Sequence, residues 1–455
     1  MNGSLIRKAV APAYLFFCLL LGGSTQGVWG NALLQIGAIL IIAWWTMDPK
    51  GPALPGNVRS LAWLLGLAIL IALVQLLPLP PGIWTSLPGR QIVMDGRTLL
   101  GLDLGWSSIS LAPYETMATL LYLLPPVALF VAVMQAQARN EVWLAVALIA
   151  ATFAGVLLGL LQVSSGNPAA SPWYLYRISN FGFATGFFAN SNHMASLLLV
   201  SLPFVAALGA MSADSLKDAR KKYTVIALTV GGIGVVVIGI ALNGSLAWAG
   251  LLIPVAIASL LLLTPLGPRS RLAIIGLGIV ALIGFVILLL SPLGERLAMT
   301  GASASLSTRQ DILSQSIELV KAFGPFGSGL GTYPAVYPLF EAPDAVTSIY
   351  VNHAHNDYVE LAIETGLPGM LLILLFLGWW GVTVAKMVRS PAADPYAYAG
   401  AIASAALLLH SLVDYPLRTA ALSAVFALCL ALIATSRRTA QKEGDLRPTR
   451  HLVVG

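Results

Sequence analysis

Residues 351–358, with the sequence VNHAHNDY, carry the residue types best suited to chemistry in this chain. His353 and His355 stand one residue apart, directly before Asn356 and Asp357. Such a run supports two kinds of chemistry. A His-x-His-x-Asp pattern binds zinc in binuclear hydrolases, but those sites need further ligands that nothing in this sequence supplies. Alternatively, a histidine acts as the general base on a hydroxyl group while arginines hold a phosphate leaving group.

The acidic residues that follow this run also indicate a functional site. Helical spacing places Asn356, Glu360 and Glu364 on one face of a helix that enters an apolar segment. Ionisable residues at such a depth are costly and usually functional. The sequence has no Asp-x-Asp run of the kind that positions a metal on a nucleotide-sugar diphosphate. We therefore expect a metal-free transfer from a lipid-linked donor, with no cofactor.

Arg309 is a candidate for binding a phosphate group. It lies in a predicted amphipathic helix with a capping-box-like start at residues 307–311 and an end at residues 323–325. A cation near a helix N-terminus is disfavoured by the helix dipole, so this position suits an anion; an ordinary solvated arginine fits the spacing equally well. The predicted apolar stripe of this helix consists of Leu313, Ile317 and Val320. The glycines expected to keep the following turn flexible are Gly327, Gly329 and Gly331.

Two further polar segments supply candidate substrate-binding residues. In the first, aromatic residues surround Arg177 and precede a stretch, residues 186–193, that contains Asn190. Aromatic residues at a membrane interface are usually belt residues, but their density beside Arg177 also suits stacking of a sugar above a phosphate. In the second, residues 410–418, Asp414 and Arg418 are close enough for a local ion pair. The substrate-binding candidates are Arg177, Asn190, His353, Asn356 and Arg418.

The composition indicates that most of this protein lies in a lipid membrane. Hydrophobic residues make up 58% of the 455 and charged residues only 10%, with a mean hydropathy of +0.84. A soluble domain carries about 25% charged residues, so lipid must surround most of this chain. The net charge of +6 comes from short basic clusters between apolar runs, which argues against a nucleic-acid partner. Cys18 and Cys429 both lie in apolar runs and predict neither a disulfide nor a metal site.

Apolar runs predict an all-α polytopic membrane protein with about twelve transmembrane helices. The predicted spans are residues 9–22, 31–47, 61–77, 116–134, 142–163, 193–211, 224–242, 248–265, 272–291, 366–384, 397–412 and 419–435. A large loop separates the ninth and tenth spans. The predicted division is residues 1–290 for spans one to nine, 291–365 for the loop, 366–436 for spans ten to twelve and 437–455 for a basic tail.

The basic residues also predict an orientation. With both termini in the cytoplasm, the cytoplasmic loops hold most of the 25 Lys and Arg residues, as the positive-inside rule requires. The long loops then lie on the other side, so we expect the site on the non-cytoplasmic face of the membrane.

The spacing around His355 resembles the O-antigen ligase and polymerase family of bacterial polysaccharide assembly. The resemblance lies in His355-Asn356, nine residues, Gly366, two residues and Gly369. Weaker similarities occur at residues 186–193, at the helix of Arg309 and at residues 410–418, so the resemblance covers roughly residues 187–418. The sequence departs from the family at one position. The family often has a second arginine directly after a serine near the eighth span, but here Ser245 is followed by Leu246.

The resemblance implies a function and roles for two residues. His355 would be the essential histidine and Arg309 the arginine of the large loop. Members of the family transfer a glycan from undecaprenyl diphosphate to an acceptor hydroxyl, and the acceptor is either lipid A core or a second lipid-linked glycan. Direct displacement at the anomeric carbon predicts inversion. The partners implied are these glycans and membrane lipids.

A transporter or flippase of lipid-linked glycans is the alternative function. Such a protein would place ionisable groups at the middle of several spans. The middle positions here are almost entirely apolar, and the polar groups gather at one face, which favours the enzyme.

Overall fold

The computed structural model describes residues 3–24, 28–47, 56–135, 141–243, 249–263, 303–341, 346, 351–390 and 394–436. The helices of the first half are α1 (Gly3–Leu21), α2 (Trp29–Thr46), α3 (Gly56–Leu76), α4 (Pro81–Trp84), α5 (Gln91–Leu99), α6 (Pro113–Tyr122), α7 (Leu124–Gln135), α8 (Glu141–Val163) and α9 (Ser191–Asp214). Those of the second half are α10 (Ala219–Asn243), α11 (Ala249–Leu262), α12 (Ser303–Phe323), α13 (Tyr333–Val336), α14 (Asp357–Val388), α15 (Pro395–His410) and α16 (Ala420–Thr435). Two short strands, β1 (Pro78–Leu79) and β2 (Ser107–Ser108), pair antiparallel with Pro78 opposite Ser108.

The helices confirm a multi-pass membrane protein. Within the described residues, seven helices are long and apolar enough to cross a membrane, among them α9, α10 and α14, and shorter apolar helices occur at Gly250–Leu262 and Ala420–Thr435. Every predicted span except the ninth coincides with a helix. The ninth span (272–291), the predicted tail (437–455) and part of the predicted loop lie outside the described residues, so the count of twelve stays a prediction.

The core of the helix bundle forms around α9. This helix packs against α8, α10, α11 and α15, and most of its side chains are buried. Helix α16 is also almost entirely buried, between α7 and α15. Small and aliphatic residues dominate both helices and let them approach their neighbours closely, as is usual where helices pack in a membrane.

A break in α14 at Gly366 shapes the structure beside the site. Gly366 has φ 60° and ψ −149°, a backbone conformation essentially restricted to glycine. A Cβ atom there would lie 2.0 Å from the carbonyl oxygen of Pro325. The break leaves carbonyl groups of the first helical segment without partners within the helix. The carbonyl of Ile363 accepts from the amide of Ser328, and that of Glu364 from the amide of Gly329, both at 2.9 Å.

The glycines that follow α12 are needed for this close approach. Gly327, Gly329 and Gly331 have φ angles of 80°, 117° and 80°. A Cβ at Gly327 would lie 2.4 Å from the carbonyl oxygen of Glu364. The buried guanidinium of Arg90 donates to the carbonyl of Gly327 at 3.0 Å, and burial lowers the pKa of Arg90 to about 10. Gly327 and Gly329 thus fasten the turn to α14, and Gly331 lies against α6, whereas the predicted flexibility of the turn stays a prediction.

Two expectations for the helix of Arg309 are wrong. The helix begins at Ser303, so Arg309 lies beyond its first turn and outside the unfavourable part of the helix dipole. Its buried face is not the predicted stripe, since Ile317 is 44% exposed. The buried residues are instead Ile312, Ser316, Leu319 and Phe323. The end of the helix at Phe323 is as predicted.

Candidate active site

The candidate site forms where the segment before α14 meets the turn between the last two helices. We call residues 411–419 the α15–α16 turn. Asn356 is the N-cap of α14, and its side-chain oxygen accepts from the backbone amides of Tyr358 and Val359 at 3.0 and 3.1 Å. Its amide nitrogen donates to the carbonyl of Leu412 at 2.9 Å. Asn356 therefore joins the two segments and fixes the position of His355 before it.

Asp414 provides the carboxylate at the centre of the site. Its side chain is fully buried, yet two partly exposed groups approach it from different segments. His355 Nδ1 lies 3.5 Å from Oδ1, and Arg309 Nη2 lies 3.6 Å from Oδ2. Arg309 Nη1 also reaches the carbonyl of Val413 at 3.5 Å. The two catalytic candidates, His355 and Arg309, therefore both contact Asp414. The sequence had predicted Arg418 as the partner of this carboxylate.

Two more histidines surround the same carboxylate from the interior. His193 Nε2 lies 4.0 Å from Oδ1 of Asp414, and His410 Nε2 lies 3.9 Å from Oδ2. Asn192 completes the arrangement by donating to Oδ2 at 2.6 Å. Both imidazoles are almost inaccessible, with 2% and 0% of their side chains exposed. They can support the carboxylate but cannot reach a substrate.

The electrostatics keep Asp414 ionised. Burial by itself would raise its pKa, but the imidazole of His355, together with those of His410 and His193, brings the pKa of Asp414 well below its usual range. An ionised carboxylate favours the tautomer of His355 with a proton on Nδ1, which leaves Nε2 as the basic nitrogen.

His355 has the geometry of a residue held in place for function. Its φ angle is 50°, an uncommon conformation for a residue other than glycine. Strained residues of this kind cluster at active sites, where the surrounding structure holds them. The side chain is 22% exposed, twice the fraction of the His353 side chain, which is 11% exposed. His355 is the histidine of this cluster that a substrate can best reach.

A second charged cluster lies beside the first and contains His353. His353 Nδ1 is 2.8 Å from Oε1 of Glu360, and the backbone amide of Ala354 donates to Oε2 of the same carboxylate at 2.8 Å. Arg418 Nη1 lies 3.0 Å from the Oε1 atom. Glu360 is completely buried and stands in the first turn of α14, where the helix dipole also favours a negative charge.

Arg418 binds the acidic face of α14 and not Asp414. Its guanidinium contacts Asp357 at 3.3 Å, Glu360 at 3.0 Å and Glu364 at 3.2 Å. Burial alone would lower its pKa, but these three carboxylates raise the pKa of Arg418 above its ordinary value. The predicted ion pair with Asp414 is therefore wrong. The predicted common face of Glu360 and Glu364 is confirmed, because one guanidinium binds both.

Tyr415 joins the two clusters and was not singled out from the sequence. Its ring contacts three imidazoles, with centroid distances of 4.0 Å to His353, 4.9 Å to His193 and 5.2 Å to His355. Burial raises the pKa of Tyr415 to about 12, so the hydroxyl is protonated at neutral pH. Its place between Asp414 and Arg418, within a polar turn, is the signal in the sequence that could have identified it.

The remaining candidates lie at different distances from this centre. Asn190 is the N-cap of α9, and its amide nitrogen donates to the hydroxyl of Tyr415 at 3.4 Å. Arg177 is exposed and forms no ion pair or hydrogen bond within the described part of the chain. Ser245 and Leu246, where a second arginine is absent, lie outside the described residues. In the described ranges, no group of three or more His, Cys, Asp or Glu residues could hold a metal ion.

Comparison with known proteins agrees with the motif at His355. Residues 230–374 match the family model described as O-antigen ligase. These residues are therefore similar to that family, which confirms the resemblance found from the sequence. No curated protein matches the chain. The family indicates a membrane enzyme that ligates or polymerises glycans. The matched residues include Arg309 and His355, whereas the α15–α16 turn lies beyond them.

Proposed function

We propose that this protein is a metal-independent, inverting glycosyltransferase of the periplasmic face of a bacterial inner membrane. It moves a glycan from undecaprenyl diphosphate to an acceptor hydroxyl. The acceptor is a sugar of lipid A core in a ligase, or a sugar of a second lipid-linked glycan in a polymerase.

One observation carries this proposal. His355 and Arg309, which are 22% and 24% exposed, are held by opposite oxygens of the buried carboxylate of Asp414. A base and a cation therefore contact one carboxylate, and both side chains remain partly accessible. This is the pair of groups that displacement of a diphosphate requires, since the leaving group needs positive charge and the hydroxyl needs a proton acceptor.

The reaction follows from these two groups. The acceptor oxygen forms a bond with the anomeric carbon of the donor sugar, and the bond from that carbon to the diphosphate oxygen breaks. The diphosphate leaves with the electron pair, beside the guanidinium of Arg309. The proton of the acceptor hydroxyl passes to Nε2 of His355. Because attack and departure occur on opposite faces of the carbon, the configuration inverts.

The carboxylate of Asp414 serves both partners during this step. It stabilises the imidazolium that forms on His355, and it limits the rotation of Arg309. Arg309 carries five N–H donors in a planar fork, which can bind two phosphate oxygens at once.

The remaining candidate residues hold the site in place or complete it. Asn356 and Arg418 hold the N-terminal end of α14 in place through the contacts described above, and His353 shapes the segment before it. Arg177 is accessible and can supply a second cation for the donor. Asn190 reaches the site through Tyr415.

A deletion strain tests the proposed function and distinguishes a ligase from a polymerase. Lipopolysaccharide and exopolysaccharide of the deletion strain are compared with those of the parent and of a complemented strain. Loss of all O-chain on an otherwise complete core is the expected result for a ligase. A single repeat unit on core, or loss of exopolysaccharide, is expected for a polymerase. Unchanged glycans of both kinds would contradict the proposal.

A further inference from the structure

We propose that the hydroxyl of Tyr415, together with the side-chain amides of Asn190 and Asn352, forms a neutral subsite that binds the ring hydroxyls of a sugar next to the reacting bond. This inference rests on the proposed function and adds a binding site to it.

Three separate segments bring these groups together. Asn190 caps α9, Asn352 precedes α14, and Tyr415 lies in the α15–α16 turn. Both amide nitrogens donate to the tyrosine hydroxyl, each at 3.4 Å. Tyr415 itself is only 6% exposed, but the two asparagines are half-buried. The hydroxyl therefore lies beneath two partly accessible amides.

The hydrogen-bonding capacity of this group is largely unused. Both contacts exceed the usual range of about 2.7–3.2 Å for an N–H···O bond, so each is weak. The hydroxyl accepts from two amides, and within the described residues its own proton has no acceptor. A phenol donates one proton and each amide has two, so donors remain for a ligand. The phenol proton and the remaining amide donors are the groups that the oxygens of a ligand would satisfy.

The chemistry of these three groups matches a sugar. They are neutral, and they offer donors together with an acceptor, as the adjacent hydroxyls of a sugar ring do. An anion would be drawn instead to Arg309. The ring of Tyr415 is 5.2 Å from the ring of His355, so a sugar whose hydroxyl gives its proton to His355 has its neighbouring hydroxyls within reach of this subsite.

Substitution of Tyr415 by Phe tests the subsite, because it removes the hydroxyl and keeps the ring that packs on the three imidazoles. The full-length protein is assayed in nanodiscs with lipid-linked glycan and lipid A core, both extracted from its own source strain, so that either acceptor is present. Initial rates are followed against the concentration of lipid-linked glycan. We expect KM to rise about 3- to 10-fold, the loss expected for one neutral hydrogen bond. The dependence of kcat on pH should be unchanged, since His355 keeps its surroundings. Asn352→Ala should raise KM in the same way.

Tyr14→Phe is the matched control. Tyr14 is a buried tyrosine whose hydroxyl donates to the carbonyl of Leu34 at 2.7 Å, between α1 and α2. The Tyr14→Phe variant should retain the wild-type KM even if its thermal stability falls. Wild-type kinetics for both Tyr415→Phe and Asn352→Ala would overturn the subsite, and so would a change confined to stability. If the wild-type protein transfers no glycan, the proposed function fails and the subsite fails with it.

Discussion

Nδ1 of His355 lies 3.5 Å from Oδ1 of Asp414, although the two residues belong to different inter-helix segments. The imidazole is partly accessible, whereas the carboxylate is completely buried. This relationship gives the histidine a fixed orientation and an ionised partner, the two properties that a general base requires.

His355→Ala and His355→Gln should both abolish transfer, by about 10²-fold or more, because neither side chain can accept the hydroxyl proton. His353→Ala should retain more activity, since His353 is bound to Glu360 and is less exposed. Glycan transfer by purified protein measures both effects, with and without EDTA. Equal dependence on both histidines together with inhibition by EDTA would contradict the base role and favour a zinc site.

Asp414→Asn should lower transfer by about 10²-fold or more, because an amide does not stabilise the imidazolium or fix its tautomer. The pKa of Asp414 is depressed in the folded protein, so its ionised form stabilises the fold above the unfolded-state value of about 3.9. That contribution is lost only as the pH falls through the lower folded-state value. Thermal unfolding at pH 7 should therefore show a less stable variant, with the difference narrowing at strongly acidic pH.

Asp394→Asn is the control for this substitution. Asp394 caps α15 by accepting from the amide of Ala397 at 2.9 Å, and asparagine caps helices equally well. This variant should have normal activity and stability. A similar loss of transfer activity in Asp414→Asn and Asp394→Asn would show that Asp414 has no special role.

Arg309→Lys should remain badly impaired, because lysine keeps the charge but lacks the planar fork that binds two phosphate oxygens. The measurement is transfer rate against donor concentration. Lys321→Ala on the same helix removes an exposed cation paired with Glu318 and should have little effect. Normal transfer by the lysine variant would mean that Arg309 is merely a surface residue.

Gly366→Ala should destabilise the protein and reduce transfer. A non-glycine residue in this conformation costs about 1–3 kcal/mol, and the added methyl group would also displace the backbone of Pro325. Gly378→Ala in the same helix is the matched control, because a Cβ there meets no atom within 4 Å. Thermal unfolding of the two purified variants provides the comparison. Equal melting temperatures would contradict the role given to the break.

A reporter active only in the periplasm should work when fused after Ala302 and fail when fused after Ala219. This expectation comes from the distribution of basic residues along the chain. The reverse pattern would overturn the orientation and, with it, the periplasmic site.

The sequence predicted the helical spans well because each is a long apolar run. It also predicted the acidic face of α14, because helical spacing is a local property. The roles that the motif assigns to His355 and Arg309 stay predictions. The partners of these residues could not be predicted in the same way. Asp414 and Arg418 are close in sequence, which favoured an ion pair, but the fold turns them toward different segments.

The helix of Arg309 shows a second reason why contacts between residues could not be predicted from the sequence. Counting apolar residues assigned its buried face to Ile317, but the buried position is the neighbouring Ser316. That serine lies 3.0 Å from the hydroxyl of Tyr333, so a polar residue is satisfied in the interior. Such a partner is supplied by the tertiary structure and leaves no periodic pattern in the sequence.

The break at Gly366 has a consequence for how the enzyme sits in lipid. At about 1.5 Å per residue, residues 367–388 already span the roughly 30 Å hydrocarbon core. Bilayers of different thickness tilt such helices. Glu360 and Glu364 lie beyond the break, on a segment fastened to the turn after α12. We therefore expect a change of tilt to move residues 367–388 more than the segment of Glu360 and Glu364, because hydrogen bonds hold that segment to the turn after α12.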